Sequence, residues 1–211
     1  RALRGYAGEV PPALAPGDVI NVLNMGGVLG RCTAQLPELG PPFEAEVLGA
    51  VLAFPRLEDR IGVPAHIRTG AIPTAESLAP TAPLVLVAGT CMNSGKAVAA
   101  TEIVRGLTRS GLKVGAAKLT GVSLRRDTLS MLDAGAAAGV DRYDAGVVST
   151  PEAEVLPIGR GLLAHLSRRQ ALDAPVAELR DGILGAYGVA ALLDEREIIG
   201  RRKALVLWGT D

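Results

Sequence analysis

The chain has 211 residues, 48% of them hydrophobic, and its 22 basic and 22 acidic side chains cancel. This is enough to bury one substantial core or two small ones, which excludes disorder of the whole chain. The zero net charge excludes a global field that would gather nucleic acid or an anionic membrane surface. Aromatic residues, at 3%, are too few for the stacking platforms of single-strand binders. No apolar run reaches the roughly 18 residues of a membrane span, and the N-terminal RALRGYAGEV lacks the core of a secretion signal. The expectation is a cytoplasmic protein with no nucleic-acid or membrane partner. Cys32 and Cys91 are too few for a disulfide framework or a cysteine zinc site and read as free thiols.

From Pro16 to Ile72, short Val/Leu/Ile runs are cut by Gly and Pro every several residues, which is the grammar of strands and turns. DVINVLNM, FEAEVLGAVLAF and PAHIRTGAI read as strands, and residues 1–75 as a small all-β module, a barrel or a sandwich. PTAESLAPTAP, from Pro73 to Pro83, carries three prolines that interrupt any regular element, so 76–83 reads as a linker. Beyond it the period changes. LVLVAG reads as a strand, a helix follows from about Gly95 to Ser110, and GLKVGAAKLTG gives a turn and a second strand. RRDTLSMLDAGAAAGV reads as helical, DAGVVST as a short strand, IGRGLLAHLSRRQ as a helix, APVAEL as a strand, VAALLDEREIIG as a helix and KALVLWGTD as a last strand. Strands alternating with helices predict an α/β fold for residues 84–211, with right-handed crossovers and a mainly parallel sheet flanked by helices. Asp211 falls right after a strand where such a domain continues, so a C-terminal truncation is expected.

The stretch from Gly89 to Ala97, GTCMNSGKA, lies between an apolar strand and a helix. Gly89, Thr90, Cys91, Met92, Asn93, Ser94, Gly95, Lys96 and Ala97 would curl backbone amides around phosphate oxygens. The helix N-terminus adds a favourable dipole, and Lys96 neutralises the β- and γ-phosphates. Five residues separate the two glycines where the common phosphate loop has four. Ala97 stands where such loops carry a Ser or Thr hydroxyl that coordinates Mg²⁺. The loop is therefore expected to bind phosphate with weakened magnesium affinity, unless Thr90, Ser94 or a carboxylate compensates.

This loop resembles that of the dethiobiotin-synthetase-like P-loop enzymes, of the SIMIBI class, and the resemblance covers the chain from about Leu84 onward. It implies a P-loop nucleotide-binding domain using ATP, less readily GTP, with Mg²⁺. In those enzymes a Lys-Pro-x-x-Thr-Gly-like stretch on the second strand holds substrate and the transferred phosphoryl group. Lys118, Thr120 and Gly121 match it here, with Leu119 replacing the proline. The resemblance further implies metal-binding roles for Asp127, with Asp133 as the alternative, and for Glu178, with Asp181 weaker. Arg180 stands where the family places small residues. Lys96 and Lys118 are then the catalytic candidates.

His66 and His165 lack metal-ligand spacing and read as structural. Asp211 is the one candidate for reading a nucleobase. The leading function is ATP-dependent phosphoryl transfer to a small metabolite, of kinase or ligase type, in a chain that could assemble as a homo-oligomer. The alternatives are a nucleotide-switched binding protein, with Leu124 to Met131 ordering around the γ-phosphate, and a degenerate P-loop scaffold without catalysis.

Overall fold

A computed structural model describes residues 5–24, 26–79, 81–122, 124–169 and 171–209. The chain divides into two compact units, Arg1–Gly70 and Ala71–Asp211.

In the first unit four strands, β1 (Tyr6–Glu9), β2 (Val19–Asn24), β3 (Val28–Gln35) and β4 (Glu44–Glu46), form an antiparallel sheet in the order β1-β3-β2-β4. Ile20, Leu23 and Val28 are its buried apolar residues. Among the described residues β4 does not pair with β1, so the sheet is open and not the barrel that the sequence allows. FEAEVLGAVLAF does not form one strand. It breaks after β4 and resumes as β5 (Leu52–Ala53), paired with β6 (Val63–Pro64), and PAHIRTGAI leaves the sheet after Pro64. The sequence reading passed over β1 and β3, whose glycines look like breakers. At Gly30 they are a packing requirement, because a Cβ there would lie 2.5 Å from the Glu9 carbonyl oxygen of the paired strand.

The second unit is a five-stranded parallel sheet flanked by helices, so the chain is mixed α/β. Its elements are β7 (Leu84–Gly89), α1 (Lys96–Arg109), β8 (Val114–Lys118), α2 (Arg126–Asp133), β9 (Ala138–Asp141), α3 (Val155–Arg169), β10 (Ala174–Glu178), α4 (Val189–Asp194), α5 (Arg196–Arg201) and β11 (Arg202–Trp208). The strand order is β11-β7-β10-β8-β9. Successive strand residues face opposite sides. Leu84, Leu86, Ala88, Ala117, Ala177 and Leu179 therefore join one core with α3, α4 and α5, while Val87, Val114, Ala116 and Val176 join another with α1 and α2. Buried on both faces, these strands read as continuous apolar runs.

Two sequence expectations fail here. RRDTLSMLDAGAAAGV is helical only to Asp133. Gly135, at φ 109°, turns the chain, and the small residues after it enter the sheet as β9. DAGVVST is not a strand, apart from an isolated bridge between Val122 and Ser149. The segment read as a linker is built into the second unit: Leu78 is buried in its core and donates its amide to Glu197 Oε2, 119 residues further on, at 2.9 Å.

Candidate functional site

All five strands of the parallel sheet end on one edge, the place where such sheets present ligand-binding loops. β7 ends at Gly89, and the next residues wrap back before α1 begins. The reversal needs left-handed backbone, supplied by Asn93 at φ 62° and Gly95 at φ 100°. The loop is held from two sides. Thr90 donates its amide to Trp208 O at 3.1 Å, and the turn after β10 returns an amide from Ile183 to Gly89 O at 3.2 Å. A Cβ on Gly182 would lie 2.2 Å from Thr90 O, so only glycine lets this turn approach the loop so closely.

Lys96, the first residue of α1, is 4% exposed. Its Nζ donates to Cys91 O and to Ser94 Oγ, the latter at 3.2 Å. Its pKa is lowered, chiefly by burial, against the opposing charge of Glu178. Ala97 is half-buried and puts only a methyl group where a hydroxyl was expected.

On the neighbouring strands, Lys118 lies level with Glu178 on one side and Asp141 on the other. Lys118 is fully buried, and its Nζ donates to Asp127 Oδ2 and, at 3.2 Å, to Glu178 Oε2. Burial lowers its pKa to about 8, and the Glu178 carboxylate offsets part of that effect. Arg180 lays its aliphatic stem against Gly121, donates to Val122 O at 3.1 Å and reaches to 3.9 Å from Asp127 Oδ2. The bulky residue that departs from the expected small one thus braces the strand edge. Thr120 Oγ1 donates to Arg180 O at 2.9 Å.

Beyond β9, Asp141 accepts from Tyr143 N at 2.8 Å and faces Arg125 Nε at 3.3 Å. Arg142 is fully buried. Its guanidinium carbon lies 4.7 Å from the Tyr143 ring centroid, and none of its three nitrogens has a hydrogen-bond partner. Burial lowers its pKa, with Asp141 opposing.

The structure therefore brings Lys118, Asp127 and Glu178 into direct contact, with Lys96 and the Gly89–Ala97 loop within reach of Glu178's field. Asp133 is exposed at the far end of α2. Asp181 adopts φ 78° in the turn after β10, where its charge also acts on Lys96. Thr90 spends its amide on Trp208, which removes that group from the expected phosphate-binding set. His66 Nδ1 accepts from Arg68 N at 3.0 Å, and His165 lies within α3. Asp211 lies outside the described residues. Sequence reasoning missed Asp141, Arg142 and Arg125. Their signal was the charged DRYD directly after the short apolar run AAGV.

Among the described residues, no group of three or more His, Cys, Asp or Glu could hold a metal ion, and no helix is long and apolar enough to cross a membrane. No protein-family model matches the chain, and no curated protein matches it.

Proposed function

We propose that the second unit is a P-loop domain that binds ATP and transfers its terminal phosphoryl group to a small metabolite. The observation that carries this reading is the buried Lys96, folded over the loop between β7 and α1 and within the field of Glu178 on the next strand. The first-turn amides of α1, which have no intrahelical partner, and the helix dipole favour an anion there. Lys96 exchanges a neutral carbonyl and a hydroxyl for phosphate oxygens, a charge-assisted bond in place of weaker ones. Lys118, at the end of the adjoining strand pair, stabilises the group in transit. Catalysis rests on positioning and charge, with no covalent protein intermediate.

Nucleotide-bound Mg²⁺ asks a protein for one or two carboxylates, the rest coming from phosphates and water. Glu178 and Asp127 fit that number, and each already shares one oxygen with Lys118. When bound, the ion neutralises charge on the β- and γ-phosphates. Calorimetry with ATP and Mg²⁺, followed in parallel by the fluorescence of Trp208, the chain's single tryptophan, tests the proposal, because this residue packs on the loop. No ATP binding, or binding indifferent to Lys96→Ala, overturns it.

A second reading, a scaffold that binds nucleotide without turnover, is favoured by one observation. Ala97 lacks the hydroxyl, and the nearby Ser94 hydroxyl is engaged by Lys96. Binding without phosphoryl transfer to any metabolite supports it.

A further inference from the structure

A buried guanidinium whose nitrogens lack hydrogen-bond partners is costly, because the ion loses its hydration and neighbouring charge restores only part of it. Arg142 is in that position: fully covered, with Nε, Nη1 and Nη2 all unpartnered. The neighbouring Asp141 offsets part of that cost by its charge, without a hydrogen bond to the guanidinium. Asp141 turns one oxygen to Tyr143 N and the other to Arg125. The guanidinium carbon lies 4.7 Å from the Tyr143 ring centroid, and the Tyr143 hydroxyl accepts from Leu124 N at 3.2 Å, which fixes the ring. Such a contact leaves the guanidinium's N–H fork, which matches a carboxylate or phosphate in two parallel bonds, without a partner of its own. Its position is at the ligand-binding edge, one residue beyond the level of Lys118, whose charge and that of Arg180 act on the same space. Asp141 is the carboxylate whose charge acts on it, and the other two carboxylates of this edge, Asp127 and Glu178, are bonded to Lys118.

We propose that Arg142 anchors a second anion subsite, which holds a carboxylate or phosphate group of the small molecule bound beside Lys118. That this molecule is the phosphoryl acceptor rests on the function proposed above; the binding of an oxyanion at Arg142 does not. Because the side chain is fully covered, binding is coupled to local rearrangement of the Asp141–Val147 turn, which closes through amides of Ala145 and Val147 on Arg142 O at 3.1 and 3.0 Å.

The full chain is titrated calorimetrically with inorganic phosphate and, separately, with succinate, as wild type, Arg142→Met and Lys96→Ala. At least one probe is expected to bind wild type and to lose about tenfold or more in affinity in Arg142→Met, the worth of one charge-assisted fork. ATP is titrated alongside, and in Lys96→Ala the loss is expected for ATP and for phosphate held at the loop, not for the anion that depends on Arg142. Phosphate alone or succinate alone identifies the group. Failure of both probes to bind, or equal binding by Arg142→Met, overturns the subsite. Should Arg142→Met not fold, Arg142→Lys keeps the charge without the fork and is expected to weaken the same probe. Hydrogen exchange on wild type then decides independently: the bound probe slows the amides of Ala145 and Val147, and unchanged exchange overturns the proposal. If ATP fails to bind while an anion still depends on Arg142, the subsite stands and the nucleotide reading falls. If ATP binding depends on Lys96 and neither anion depends on Arg142, the reverse holds.

Discussion

The two halves of the candidate site hold their lysines differently. Lys96, in the loop half, is bonded to a carbonyl and a hydroxyl, both neutral. Lys118, in the strand-edge half, is bonded to two carboxylates. A cation held by neutral groups keeps its attraction for an incoming anion, while one held by carboxylates has spent most of it on the fold. The difference teaches that burial alone does not mark a ligand-binding cation; its partners do. By that measure Lys96 is the lysine that the proposed nucleotide would draw on, and Lys118 is first a structural ion.

The largest effect expected from this contrast is on stability. Glu178→Gln removes the charge that does most to keep Lys118 protonated. Breaking a buried pair in this way should cost about 3–5 kcal/mol at neutral pH, read by urea unfolding. The loss should shrink above about pH 8, where Lys118 sheds its proton in wild type too. Lys96→Met, which strands only neutral partners, should cost about 1 kcal/mol. Equal losses for the two variants would erase the distinction between the halves.

The loop half was legible because its grammar is local. LVLVAG is an uninterrupted buried strand, Gly95 takes the left-handed turn, and Lys96 opens the helix. Lys118 and Glu178 were legible from the same logic, since each ends an apolar run and such ends lie on one edge. Arg142 was not. AAGV has no β-branched majority and continues a helical pattern, so the sheet claims it only through tertiary pairing with β8. Placing that strand later, at DAGVVST, moved the edge past Asp141 and Arg142 and hid both. In the first unit, Gly30 and Gly8 look like breakers and are instead sites where paired backbones come too close for a side chain.

The next effect separates the halves by ligand. Lys96→Ala should weaken ATP by roughly ten- to a hundredfold, the equivalent of about 1.5–3 kcal/mol for a charge-assisted contact. Its fold should be barely touched. A variant that loses stability and keeps affinity would assign Lys96 to the structural class with Lys118.

A smaller effect, in pH, tests whether Lys118 is redirected to the ligand. In the folded protein its pKa is lowered from 10.5 to about 8. Between those values the unfolded chain binds the extra proton, so stability should rise with pH across that window and fall as pH drops through about 8. Ligand affinity should run the other way. An anion that draws on Lys118 needs the ammonium, so above about pH 8 binding must take up a proton and weakens by up to about tenfold per pH unit. Calorimetry in buffers of different ionisation enthalpy reads that uptake directly. Binding that proceeds at high pH without proton uptake leaves Lys118 to the fold alone.

The smallest effect concerns Ala97 and sharpens the loop half itself. Its half-buried methyl group sits on the second residue of α1, and the Thr101 hydroxyl donates to its carbonyl at 2.8 Å. Ala97→Thr adds an oxygen beside the expected β- and γ-phosphates at the cost of a few tenths of a kcal/mol in helix propensity. Ser94 does not already fill that role, because Lys96 engages its hydroxyl. Affinity for ATP with Mg²⁺ should therefore rise by about fivefold, or roughly 1 kcal/mol, while affinity measured in EDTA should hardly move. A packing improvement would raise both. If neither changes, the ion is held by carboxylates alone or no metal-nucleotide complex forms, and Glu178→Gln distinguishes these. It abolishes the Mg²⁺ dependence in the first case and has none to abolish in the second, where the loop's lysine is left without the ligand that its neutral partners imply.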